Sequence, residues 1–186
     1  MIPKNIFLDM DGVMNNFGRD FITYASDFYN NLSITWEEEQ YGYDIHNWFK
    51  LDGESDRWYV IEIMEEPLFW EGLTRNNAFH TAMEDLQLVK KHNVYVCTLP
   101  FGWSFCPNEK ANWLEENYPS IDIDRNLIMM EDKQLLAGNG ILIDDCPDNV
   151  RNFMEAGGEA YLYETFYNYA EDLPKIKSLY DLEGYI

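Results

Sequence analysis

The sequence predicts an α/β fold in which a parallel sheet is flanked by helices, with a small helical cap inserted after strand one. Three observations predict it. Short apolar runs recur along the chain, several of them ending in an acid or a threonine. Helical patterns lie between these runs. One segment, residues 16–75, breaks the rhythm and is crowded with aromatic rings.

The runs are Asn5–Asp9 (NIFLD), Val94–Thr98 (VYVCT), Leu127–Met130 (LIMM), Ile141–Asp144 (ILID) and Ala160–Tyr163 (AYLY). Near-continuous apolar stretches of this length suit parallel strands buried on both faces. Helices are predicted over Asn77–His92, over Pro107–Tyr118 with proline in the first turn, and over Pro147–Ala156 ahead of Gly157-Gly158. Strands alternating with helices imply a parallel sheet with right-handed crossovers. The core domain is therefore assigned to residues 1–15 and 76–186, and the mainly helical cap to 16–75. The cap holds nearly half of the chain's aromatic residues, including Trp36, Trp48, Trp58 and Trp70. Most of these rings are expected to form the cap's own core. Two or three facing the cleft would give a flat ligand a surface to stack on. There is no internal repeat and no low-complexity linker.

At 186 residues the chain suits one compact domain with a modest insertion. An apolar share of 46% and an aromatic share of 16% exclude disorder. No apolar run approaches the roughly 18 residues of a membrane helix, and Met-Ile-Pro-Lys-Asn lacks the features of a signal peptide. A cytoplasmic protein with no membrane partner is expected. Cys97, Cys106 and Cys146 form no CxxC pair and read as reduced structural thiols. Thirteen basic against 34 acidic residues leave a net charge of −21. That field favours solubility and excludes long nucleic acid, whose binding needs many Lys and Arg on phosphates. A small anion remains acceptable, because salt screens exposed charges beyond about 8 Å.

Ligands of parallel α/β sheets bind beyond the carboxyl ends of the strands. Here those ends carry Asp9-Met10-Asp11-Gly12-Val13, Thr98 and Asp144-Asp145. Alternation along an extended strand would put Asp9 and Asp11 on one side, with Gly12 permitting a sharp turn. Converging carboxylates repel one another unless a cation sits among them. Ligands that are all oxygen suit Mg²⁺. Lys133 is the only lysine between residues 111 and 174, which makes it the natural cation to balance a phosphate. Each feature alone has a bland reading: an Asx turn, a solvated Asp pair, a surface lysine. Their order along the chain is what points to chemistry. His46, His80 and His92 fit no triad or metal spacing and read as surface or cap residues.

This set of residues resembles the haloacid dehalogenase (HAD) superfamily of phosphohydrolases, and within it the 5′(3′)-deoxyribonucleotidases. The likeness lies in DMDGV followed by Phe17, in VCT-x-P at Val96–Pro100, in CPNEK-xx-WLE at Cys106–Glu115 and in ILIDD at Ile141–Asp145. It spans nearly the whole chain. The CP-x-EK-xx-W block is the most specific part, since superfamily chemistry does not require it. The resemblance implies an HAD-like, Rossmannoid sheet and Mg²⁺-dependent hydrolysis of (deoxy)ribonucleoside monophosphates. Asp9 is then the nucleophile that forms an aspartyl-phosphate, and Asp11 the acid and base for the sugar oxygen and water. Asp9, the Asp11 carbonyl and Asp145 are implied to hold Mg²⁺, with Asp144 alongside. Thr98 and Lys133 are implied to bind phosphoryl oxygens, with Lys110 as a second cation. Phe17 is implied to pack on the base, with Trp48 as a further wall. The implied partner is a small nucleotide, and a homodimer is the candidate assembly.

One departure stands out. Leu99 occupies the position after Thr98 where the family usually has Ser, and the loop Phe101–Phe105 is one residue shorter. Two other readings stay open at this point: an HAD phosphatase for another small phosphate ester, and a catalytically retired nucleotide-binding protein.

Overall fold

The computed structural model describes residues 3–30, 34–36, 42–51, 57–101 and 106–183. Most of the shortened loop, residues 102–105, and the side chain of Trp36 lie outside them.

Strand β1 (Asn5–Leu8) is central. It pairs in parallel with β4 (Asn93–Thr98) on one side, Leu8 opposite Val96, and with β6 (Ile141–Asp144) on the other, Leu8 opposite Ile143. Beyond β4 lies β5 (Leu127–Met129). Beyond β6 lie β7 (Glu159–Tyr163) and β8 (Lys175–Ile176). The order is β5-β4-β1-β6-β7-β8, all parallel, so the chain leaves β1 in opposite directions and opens a crevice at its carboxyl end.

The period of two in each strand sorts its side chains. Ile6 and Leu8 of β1, Val94 and Val96 of β4 and Ile143 of β6 enter one apolar cluster. Phe7, Cys97 and Leu142 enter the other, against Val150 and Phe153. Those last two belong to α8 (Pro147–Glu155), which begins on Pro147 as the sequence predicts. The first cluster runs without a break into the inserted segment, where Phe21, Trp48 and Phe69 are buried.

All five predicted strands form. The two-residue β8 was not legible, because Ile176 alone gives no period. The helix predicted over Asn77–His92 is two: α4 (Asn77–Asp85) and α5 (Leu88–Lys91). Gln87 separates them in the left-handed region at φ 54°, which buries Leu88 and turns the chain into β4. The helix predicted over Pro107–Tyr118 is α6 (Cys106–Asn117), followed by the short α7 (Ile123–Asn126).

Among the described residues, the segment between β1 and α4 adds no strand to the main sheet. Its first helix, α1 (Phe17–Phe28), buries Phe17, Gly18, Phe21 and Ala25 along one stripe. Two short strands, β2 (Ile34–Trp36) and β3 (Phe49–Leu51), pair antiparallel, where the sequence had predicted mainly helix. Helices α2 (Arg57–Met64) and α3 (Pro67–Glu71) follow. The chain enters and leaves this segment along one narrow seam: Asn16 N–H donates to Thr74 O at 2.9 Å and Asn76 N–H to Met14 O at 2.9 Å. Trp113 Nε1 and Tyr118 Oη secure the seam from the α6 side by donating to Leu73 O (2.6 Å) and Met14 O (2.9 Å).

Candidate active site

Four neighbouring strands, β5, β4, β1 and β6, end at the crevice, and the residues just beyond them meet in one cavity of about 450 Å³. Asp9, Asp11, Phe17, Lys110, Lys133 and Asp145 line it. Six residues picked from the sequence thus share a wall.

Asp9 and Asp11 do not stand on the extended strand, which ends at Leu8. They lie in the turn that follows, closed by Met14 N–H to Met10 O at 2.9 Å. Asn15 shapes that turn, its Oδ1 accepting from the Gly12 N–H at 3.1 Å and the Phe17 N–H at 3.0 Å. Its Nδ2 donates to Asp11 Oδ1 at 2.9 Å. Gly12 sits at φ 76°, and a Cβ there would collide with the Asp145 carboxylate and the Tyr167 hydroxyl. Only glycine satisfies both demands.

Two buried lysines meet these carboxylates. Lys133, in a 3₁₀ turn (Lys133–Leu136), donates to Asp9 at 2.5 Å and to Asp144 at 2.6 Å. Burial alone would lower its pKa, but Asp144 and Asp9 outweigh that and hold the ammonium above the usual lysine range. Lys110, on α6, spends its three protons on Asp11 (2.5 Å), Thr98 Oγ1 (2.9 Å) and Leu99 O (2.7 Å). Its ammonium lies 5.1 Å from the centre of the Trp70 ring.

Asp9, Asp144 and Asp145 bring carboxylate oxygens within 4.8 Å of one another, all buried. Burial is the main cause that raises Asp9 to about 7; Asp144 and Asp11 add to it and Lys133 opposes it. Asp145 is likewise pushed well up, by burial first and then by Asp9 and Asp144. Such a cluster wants a hard divalent cation, and its oxygen-only donors fit Mg²⁺. Asp144 is the most occupied of the three. Its oxygens accept from Lys133, from the Cys146 N–H at 2.8 Å and from Asn149 at 3.1 and 3.2 Å.

The remaining predicted residues are placed as follows. Thr98 is fully buried and supports Lys110 rather than lining the cavity. Trp48 is also fully buried and packs on Phe166 and Tyr167 at 5.5 and 5.2 Å between ring centres, so it backs the cavity instead of walling it. Among the described residues of the inserted segment, Phe17, Tyr43 and Trp70 are aromatics at the cavity, joined by Ile45, Val60 and Met64. Leu99 lines the cavity with its side chain 42% exposed. His92 is buried, against expectation, because its Nδ1 accepts from the Lys4 N–H at 3.3 Å. His46 lines the cavity. The three cysteines are free thiols, as expected; burial pushes Cys97 and Cys146 up to about 12 and Cys106 to about 11.

Asn15, Asn149 and Tyr167 escaped the sequence reading. An Asn three residues beyond the turn glycine is a usable signal, since Asx side chains bond nearby backbone. Tyr167 gave no signal in its tyrosine-rich loop.

This site and sheet define a hydrolase fold of the haloacid dehalogenase type. CbbY from Rhodobacter sphaeroides, solved in complex with phosphate, superposes with a TM-score of 0.62 at 12% identity, over 97% of this chain and 96% of that one. YfnB from Bacillus subtilis, bound to magnesium, gives 0.62 at 13% identity over 100% and 99%. The haloacid dehalogenase-like hydrolase SP0104 from Streptococcus pneumoniae gives 0.59 at 13% identity over 99% of each. No curated protein matches in sequence. The family model described as 5′ nucleotidase, deoxy (pyrimidine), cytosolic type C protein matches residues 2–186, and the chain belongs to that family.

Proposed function

We propose that the protein is a Mg²⁺-dependent phosphatase that hydrolyses nucleoside monophosphates, deoxyribonucleotides preferentially, through an aspartyl-phosphate on Asp9. One observation carries this: the two carboxylates of a single turn are each held by a buried lysine, Asp9 by Lys133 and Asp11 by Lys110, at one cavity. Membership of the nucleotidase family supports this substrate class.

Asp9 attacks phosphorus, forming an Asp9–O–P bond as the bond from phosphorus to the sugar oxygen breaks. Asp11 gives that oxygen its proton, then takes one from the water that hydrolyses the aspartyl-phosphate. Asn15 and Lys110 fix the Asp11 carboxyl for both transfers. Lys133, locked by Asp144, faces the charge that develops on the phosphoryl oxygens. Asp9, Asp145 and the Asp11 carbonyl would hold Mg²⁺, with Asp144 chiefly anchoring Lys133. Bound there, the metal offsets the repulsion between nucleophile and phosphate. Phe17 and Trp70 offer the base an aromatic wall. The inserted segment acts as the cap that carries this wall. The test is intact-mass measurement of acid-quenched protein turning over dUMP. One phosphoryl group on the wild type, absent from Asp9→Asn, is the expected result; none on either overturns the covalent route.

A further inference from the structure

Tyr167 follows β7 and lies outside every motif discussed above. Its ring is wedged among Trp48 (5.2 Å), Phe166 (5.0 Å) and Tyr43 (6.2 Å between ring centres), where a phenylalanine would pack equally well. The hydroxyl is buried and must find a partner, and it donates to Asp145 Oδ2. Two glycines from separate elements clear space for this side chain. A Cβ on Gly12 would strike the hydroxyl itself, and a Cβ on Gly18 of α1 would fall 2.6 Å from Tyr167 Cε1. The neighbouring Asn168 fixes the backbone around the same aspartate, donating to Asp145 O at 2.8 Å and Tyr163 O at 2.9 Å. Main chain and carboxylate of Asp145 are thus held by two successive residues of one loop.

We propose that Tyr167 is a positioning residue that orients the Asp145 carboxylate toward Mg²⁺, a role that rests on Asp145 being a metal ligand as proposed above. A donor behind a ligating carboxylate stops it from rotating away, and loss of such a donor weakens metal binding by tenfold or more. Because the ring also packs on Trp48 and Tyr43 of the inserted segment, the ligand's orientation depends on where that segment sits.

Titration calorimetry with MgCl₂ tests this on the wild type, Tyr167→Phe, Gly18→Ala and Asp145→Asn. Tyr167→Phe should raise the Mg²⁺ Kd roughly tenfold, and excess Mg²⁺ should restore its turnover. Gly18→Ala retains the hydroxyl but displaces the ring, so it should weaken Mg²⁺ binding too; it serves alone if Tyr167→Phe does not fold. A merely structural tyrosine would lower the melting temperature of the metal-free protein and leave the Kd unchanged, which overturns the proposal. Tighter binding in Tyr167→Phe overturns it as well. Absence of Mg²⁺ binding by the wild type removes the metal site and this proposal together. Wild-type binding that all but Asp145→Asn share removes this proposal alone.

Discussion

Lys133 donates to Asp9 at 2.5 Å and to Asp144 at 2.6 Å, and all three side chains are buried. One cation between two anions leaves an excess of negative charge among side chains that are nearly withdrawn from solvent at the cavity wall. Lys133 is the member the other two depend on, and the excess negative charge prepares Asp9 for a positively charged visitor.

Replacing Lys133 should therefore hurt stability as well as activity. Lys133→Met keeps the shape but leaves two buried carboxylates facing each other. Breaking a buried pair this way costs about 3–5 kcal/mol. Urea unfolding measures it. Asp9→Asn in the same background should restore part of the loss, because the two sites share one network.

Asp9→Asn by itself should abolish turnover with no loss of stability. The amide is nearly isosteric, cannot form the acyl-phosphate, and relieves a buried charge. Phosphate release at background with an unchanged or higher melting temperature is the expected outcome. Activity within about tenfold of wild type, roughly 1.4 kcal/mol of barrier, would remove Asp9 from the nucleophile's role.

Protonation should compete with Mg²⁺ at this cluster. Burial raises Asp9 from 3.8 to about 7 in the metal-free fold, so between those values the folded protein holds a proton that the unfolded chain has released. Stability contributed by this group is present below the lower value and is lost as pH rises through the upper one. The raised Asp145 acts in the same direction. Mg²⁺ bound there would displace the protons, so its affinity should climb from pH 6 to pH 8. Melting curves with and without Mg²⁺ should show a larger increment at pH 8. At a concentration one hundred times the Kd, that increment is worth about 2.7 kcal/mol. Equal increments at both pH values would argue against Asp9 as a ligand. Ca²⁺ should bind and inhibit, since its looser shell misaligns the nucleophile.

Much of this was legible in the sequence because it depends on local pattern. The apolar runs that end at Leu8, Thr98 and Asp144 mark strands, and a parallel sheet brings their ends together. The turn that presents Asp9 and Asp11 was misjudged as extended strand, though the residues reach the same cavity. Trp48 and Thr98 show the limit. Whether a side chain lines a cavity or stands behind it depends on the neighbours that arrive in three dimensions, here Tyr167 for Trp48 and Lys110 for Thr98. Gln87 is similar, since its left-handed backbone serves the packing of Leu88 and nothing local announces it.

Leu99 carries only its carbonyl into the network, bonded to Lys110 at 2.7 Å, while its side chain is partly exposed at the cavity. Leu99→Ser should leave stability within about 0.5 kcal/mol. A hydroxyl there would face the cavity proposed to take the phosphoryl group, and one hydrogen bond to it would be worth on the order of 1 kcal/mol. Steady-state kinetics should show a several-fold rise in kcat. A sharp fall in melting temperature would mark Leu99 as a packing residue.

The activity proposed for this cavity is hydrolysis of nucleoside monophosphates, with the deoxy sugar favoured. Ile45, Val60, Met64, Trp70 and Phe101 make much of its wall apolar. A ribose 2′-hydroxyl placed there loses water without gaining a partner. Apolar pockets reject an added hydroxyl only moderately, by up to roughly a hundredfold. The direct measurement is kcat/KM for dUMP and UMP with Mg²⁺ and after chelation. Hydrolysis of both with Mg²⁺, dUMP faster, and neither after chelation is the predicted result. Equal rates or a preference for UMP would contradict the sugar selectivity, and turnover that survives chelation, or none at all, would contradict the mechanism.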